Sequence, residues 1–162
     1  MALRLLRWGS SEHWTYESLG KAVSLSASQV HISISRLISC HLLDSELKRP
    51  IKRNLVEFLT HGIRYVFPLI PGGVGVGMPT AHSSPLLASR IKHHQDFEYV
   101  WPSKAGKQKG VAVTPLHKGV PEAAKQDNEF YDLLAVVDAL RMDRPRELEI
   151  AVKLINKLVL EQ

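Results

Sequence analysis

The spacing of apolar and polar positions divides this chain into three stretches of different texture. Over residues 1–66 the spacing is helical. Leu3, Leu6 and Trp8 suggest a first helix, and Leu19, Ala22 and Val23 supply the apolar stripe of a second. Val30, Ile34, Leu37 and Ile38 then recur on one face of a third. Thr15 heads the second helix, where its hydroxyl can take a free backbone N–H. Ser26-Ala27-Ser28-Gln29 heads the third as a capping box, in which serine and glutamine satisfy opposite ends of the first turn. Leu42-Leu43 closes that unit. Pro50 opens a further helix, with Leu55, Phe58 and Leu59 inward and Gly62 as its expected terminator.

The middle stretch, residues 67–121, is rich in proline and glycine and reads as β structure with long connections. Tyr65-Val66-Phe67, Phe97 to Trp101 and Gly110 to Thr114 are predicted strands. The polar run Pro102 to Lys109 is expected to turn the second back onto the third as a hairpin. Residues 68–96 read as one long loop, of a length that in compact domains is often functional. Helical spacing then returns. Phe130, Leu133, Leu134, Val137 and Leu140 mark one amphipathic helix over 128–142, and Ile150, Leu154, Ile155 and Leu158 mark another over 145–160. With Asp143-Arg144 between them they predict an antiparallel helical hairpin.

Composition narrows the class. An apolar fraction of 44% argues for a folded chain, and no apolar run approaches the ~20 residues that span a bilayer. The arginines within Met1 to Trp8 make that segment an amphipathic helix, not a signal peptide. Cys40, the single cysteine, leaves no internal disulfide, and a cytoplasmic location is expected. Net charge is +5, unevenly spread: residues 1–70 and 71–126 each carry +4, and residues 127–162 carry −3. A basic body suits a polyanionic partner, since Lys and Arg gain by releasing counterions from phosphates.

The stretch Trp14 to Leu37 resembles the helix-turn-helix of winged-helix regulators, including MarR-like and IclR-like N-terminal domains. The matching features are a polar start, Leu19 with small Gly20, a three-residue turn ending on Leu25, a capped second helix, and Leu37 followed by Leu42-Leu43. Gly20 is expected where the two helices touch. Val30, Ile34 and Leu37 bury the recognition helix, expected at 26–39, and Ser28, Gln29, Ile32, Ser33 and Arg36 face outward. In the major groove Gln29 could pair bidentately with adenine, Ile32 could touch a thymine methyl, and Arg36 could take a phosphate or guanine. Ser28 and Ser33 could take either kind of contact. Lys48, Arg49, Lys52 and Arg53 follow where a wing would flank the duplex, although Pro50 leaves room for only a minimal one. The resemblance further implies a homodimer, with repression as its mode.

Other constellations carry less. Pro71-Gly72-Gly73-Val74-Gly75-Val76-Gly77-Met78-Pro79 lacks the Lys-Ser/Thr pair of a phosphate loop and reads as a turn-rich loop. His93-His94, His61, His82 and His117 do not show metal-ligand spacing. Ser83, Ser84, His82 and Asp96 include triad residue types without a nucleophile elbow. Lys104, Lys107 and Lys109 form a basic finger at the expected hairpin tip.

The expected architecture is therefore α+β. A (winged) helix-turn-helix domain over 1–66 is followed, over 67–162, by a small central antiparallel sheet with its long loop and a C-terminal helical hairpin for dimerisation or partner binding. The expected function is sequence-specific binding of double-stranded DNA in transcription regulation, with no catalysis, metal, cofactor or membrane. Two rival classes stay open: a winged-helix protein-interaction module, such as an antitoxin-like partner-binding protein, and a small enzyme or nucleotide-binding protein using the 68–96 loop.

Overall fold

The structure, a computed structural model, describes residues 1–8, 13–91, 97–104, 106–142 and 144–161. His93, His94 and Asp96, and the Asp143 half of the inter-helix link, lie outside the described residues. The protein is α+β, with helices at both ends of the chain around a small mixed sheet. No helix among the described residues is long and apolar enough to cross a membrane.

Local chemistry accounts for the first helices. Short α1 (Ala2–Leu6) is followed by α2 (Tyr16–Val23) and α3 (Ala27–Ser39), and both of the latter begin on complete capping boxes, Thr15/Ser18 and Ser26/Gln29. Ser24 ends α2 in the left-handed region, and the Leu25 N–H returns to the Gly20 carbonyl at 2.9 Å. A Cβ on Gly20 would stand 2.5 Å from the Leu25 carbonyl oxygen, so glycine is what lets the turn fold back this tightly. Leu5, Leu19, Val30, Ile34 and Leu43 form a small core beneath the two helices.

The next helix does not stop at Gly62. Helix α4 (Lys52–Glu57) runs through a π-helical turn, Phe58–Gly62, into α5 (Ile63–Val66). The widened turn carries the ladder past the glycine, and the rod ends instead at Phe67 (φ −132°, ψ 66°), which Pro68 forces out of helical geometry. Tyr65-Val66-Phe67, expected as a strand, is therefore the end of a helix. Its apolar side chains are exposed and pair with no strand.

The glycine-rich run, expected as a loop within 68–96, is the longest strand, β1 (Pro71–Pro79). A 3-10 turn (Ala81–Ser83) and α6 (Pro85–Ala88) follow it, then β2 (Tyr99–Pro102) and β3 (Gln108–Val113). Strand β1 pairs antiparallel with β3 from Val74↔Val111 to Gly77↔Gln108, and its last residues pair antiparallel with β2 from Gly77↔Pro102 to Pro79↔Val100. The expected β2–β3 hairpin does not form: these strands are parallel, through Tyr99↔Val111 and Val100↔Ala112, and close the three strands on one another. Such closure needs backbones in near contact. A Cβ on Gly77 would stand 1.9 Å from the Trp101 carbonyl oxygen, and one on Gly110 would stand 2.4 Å from that of Glu98.

The C-terminal helices supply the main core. After α7 (Val120–Gln126), helix α8 (Asn128–Leu140) is buried on every side from Leu133 onward, and α9 (Pro145–Leu160) packs along it. One buried face was expected for α8. It lies instead between α9, α1 and the sheet end of the molecule, as a helix apolar all round must. Asp127 caps it by accepting the Phe130 N–H at 3.0 Å, and Arg4 of α1 holds the other Asp127 oxygen at 2.6 Å. Arg7 pairs with Glu129 beside them. Leu55, Leu59 and Ile63 join this larger core, so the α4–α5 rod is the platform linking the helix pair to the rest.

Candidate nucleic-acid interface

Three residues, Ser24 to Ser26, separate the eight-residue α2 from the thirteen-residue α3. Val30 and Ile34 of α3 are buried, with Leu37 and Ile38 half-buried on the same side. The opposite side carries a row at helical spacing, Ser28, Ile32, Ser35 and Ser39, all exposed. Gln29 and Arg36 flank the row on one side and His31 on the other, and all three are exposed. Ser35, Ser39 and His31 were not singled out from the sequence. The steps of four, three and four from Ser28 were the available signal, hidden because serine is read as a cap or turn residue before it is read as a surface.

The anticipated contact residues differ in how free they are. Ser28 and Arg36 stand open, and Arg36 makes no ion pair among the described residues. Gln29 is partly committed, because its Oε1 accepts the Ser26 N–H at 3.0 Å. A bidentate adenine contact would have to share that oxygen with the cap. Ser33 is half-buried and its hydroxyl donates to the Gln29 carbonyl at 2.8 Å. Ile32, half exposed at 50%, is the apolar centre of the row.

Beyond α3 the chain makes a tight loop, not an extended wing. Leu43 and Pro50 form one isolated antiparallel bridge, the Asp44 N–H reaches the Arg49 carbonyl at 2.8 Å, and Asp44 Oδ1 accepts the N–H groups of Glu46 and Leu47. Lys48 takes a left-handed conformation (φ 54°) at this tip. Lys48, Arg49 and Arg53 are exposed and Lys52 is half-buried, giving one basic cluster at the loop and the start of α4. Trp14 ties the loop to the entry of α2 by donating its Nε1–H to the Lys48 carbonyl at 3.4 Å. Trp14, Tyr16 and His31 form an aromatic chain, with centroids 5.8 Å and 5.5 Å apart. Lys21 on α2 is spent on Glu17 at 2.9 Å, a pair that holds the glutamate below the usual carboxylate range.

Two of the remaining candidate residues are used structurally. Ser83 Oγ accepts the Tyr99 N–H at 2.8 Å, and His82 is buried edge-on to Tyr99 with Nε2 3.3 Å from the Phe97 carbonyl. Lys104, Lys107 and Lys109 are exposed, but Lys109 lies within β3, so the three do not cap a hairpin. Among the described residues no three His, Cys, Asp or Glu side chains are placed to hold a metal ion.

A constellation missed from the sequence lies in the core. Asp138 of α8 accepts from Thr80 Oγ1 at 2.9 Å, Trp101 Nε1 at 2.6 Å and Arg141 at 2.5 Å. Arg141 also donates to the carbonyls of Phe67, Pro68 and Thr114. Burial pushes the Asp138 carboxyl up, opposed by the Arg141 charge and the hydrogen bonds from Arg141, Thr80 and Trp101. Every partner is a structural group, so the network clamps α8 to the sheet and to the chain leaving α5. Comparison with family models, with curated proteins and with solved structures finds no match to this chain.

Proposed function

We propose that the protein is a sequence-specific DNA-binding transcriptional regulator, acting as a repressor, that lays α3 in the major groove. One observation carries this reading: two capped helices joined by a three-residue turn, with the second presenting an exposed polar row. A recognition helix enters the groove by its N-terminal part, where Ser28, Gln29 and Ile32 lie, while cations further along meet phosphates. Arg36 on α3 and the Lys48, Arg49, Lys52 and Arg53 cluster behind it supply those cations. A homodimer fits this role, because paired half-sites need paired readers. The cytoplasm is the corresponding location.

Fluorescence anisotropy against random duplex DNA across a salt series tests the reading, with Arg36→Ala alongside. Salt-dependent binding, weakened by the substitution, is the expected result and justifies selecting an operator. No binding by the folded protein at low salt overturns it.

A second reading, protein interaction in place of DNA binding, is favoured by Ile32 at the centre of the row and by the exposed apolar Tyr65 and Val66 of α5 with Phe67 and Ile70 after it. An antitoxin-like partner would then take the place of DNA, and Arg36→Ala would leave duplex binding absent in both proteins.

A further inference from the structure

The helix pair does not close fully onto its platform. Between them lies a cavity of about 400 Å³, walled by Val23, Leu37, Leu59, Val120 and Leu134 among others and edged by Ser33, Arg36 and His117. The volume sets the size of an occupant. It falls within the ~300–1,000 Å³ of small-molecule sites. Two turns of a helix ~10 Å across would need on the order of 800 Å³, so a helical peptide is too large.

The lining sets the chemistry. Among the described residues no acidic side chain lines the cavity, and the walls are almost wholly aliphatic or aromatic. Ser33 spends its hydroxyl proton on Gln29. His117 accepts the Gly119 N–H at Nδ1 at 3.1 Å, which leaves a proton on Nε2. Arg36 is the one guanidinium among the described lining residues and has no ion pair among the described residues. The Met1 amino group also lines the chamber, but burial pushes it down to about 6. Arg36 is therefore the permanent cation there, and an apolar chamber with one such cation suits an apolar body carrying a single negative charge. A carboxylate matches the planar fork of arginine in two parallel hydrogen bonds, whereas a phosphate dianion would call for a second cation.

We propose that this cavity binds an amphipathic monocarboxylate of the fatty-acid class, its tail between the helix pair and the platform and its carboxylate on Arg36. The binding goes beyond the DNA reading and does not depend on it. One consequence does rest on that reading: a bound acid occupies the guanidinium that would otherwise meet the duplex.

The test uses no DNA, so its failure is distinct from failure of the DNA reading. Decanoate and uncharged decan-1-ol are titrated into the full chain by calorimetry, with Arg36→Gln and Val120→Phe alongside. Decanoate is expected to bind the parent chain. Arg36→Gln should weaken decanoate by about tenfold or more while leaving decanol unchanged, since the lost contact is charge-assisted. Val120→Phe, which fills the chamber, should weaken both. Methyl NMR of the parent chain covers the case in which that variant does not fold: decanoate should shift Leu37, Leu59 and Val120 methyls. No binding at millimolar decanoate, indifference to Arg36→Gln, or methyl shifts confined to other sites would each overturn the proposal.

Discussion

Replacing Asp138 by alanine should be among the most damaging single changes this protein can suffer. The carboxylate is 1% exposed and its Arg141 partner 3%. Removal leaves a buried guanidinium without its counter-charge, and leaves the Thr80 hydroxyl and the Trp101 indole N–H without their acceptor. Breaking one side of a buried pair typically costs ~3–5 kcal/mol, and the two stranded donors place this site toward the upper end. Domains are stable by only ~5–15 kcal/mol. At ~2–4 °C per kcal/mol for a chain of this length, the melting temperature should fall by roughly 6–20 °C.

The double variant Asp138→Leu/Arg141→Met separates charge from hydrogen bonding. For an isolated pair, apolar replacement often restores stability fully. Here it should recover only part of the loss, because the Arg141 guanidinium also serves the carbonyls of Phe67, Pro68 and Thr114, at 2.7, 3.3 and 3.1 Å. Urea unfolding followed by circular dichroism gives the free energies, and Trp101 fluorescence, read in a background with Trp8 and Trp14 replaced by phenylalanine, reports the site itself. A loss under ~1 kcal/mol for Asp138→Ala, set against the cost of an uncompensated buried charge, would refute the view that this network clamps the sheet to α8. So would a double variant as stable as the parent.

Further expectations are open to direct measurement. Gly20→Val should destabilise by ~1–3 kcal/mol through overpacking against the Leu25 carbonyl and weaken duplex binding with it. Unchanged urea midpoints would show that the turn relaxes freely. For Asp127, burial raises the carboxyl, but the Phe130 N–H and the charges of Arg4 and Arg7 outweigh it and hold it below the ordinary 3.8. A carboxylate depressed in the folded state adds stability that is present above its unfolded value and disappears as pH falls through the folded one. The stability gap between the parent chain and Asp127→Asn should therefore shrink below about pH 4, and a gap equal at neutral and acid pH contradicts the assignment. Gln29→Ala should cost ~0.5–1 kcal/mol of stability through the lost bond to the Ser26 N–H and, on the DNA reading, relax discrimination at one base position. Equal affinity loss on all sequences would remove Gln29 from base contact. Arg53→Ala should lower affinity for every duplex and make the salt slope shallower by ~1; an unchanged slope would take Arg53 off the phosphates.

The parts of this protein legible in the sequence are those whose causes are local. Thr15 and Ser26 cap helices because the bonds they make close within four residues, and the apolar stripes of α3 and α9 follow from periodicity alone. That is why the helix pair, its turn, the place of Gly20 and the outward Ser28, Gln29, Ile32 and Arg36 could be laid out in advance, whereas Ser33 is half-buried and His31 and Ser35 went unnoticed. Tertiary structure decided the rest. Glycine has no side chain with which to show a period of two, so β1 read as a loop until its close approach to β2 and β3 made glycine necessary. Parallel pairing of β2 with β3 depends on a third strand lying against both, which no local signal encodes. Asp138 and Arg141 carry no local signal of their role, because only a helix enclosed on all sides turns them into a buried clamp. The cavity bordered by Arg36 likewise exists only where the helix pair meets the α4–α5 platform, and the space between packed surfaces is a property no single segment carries.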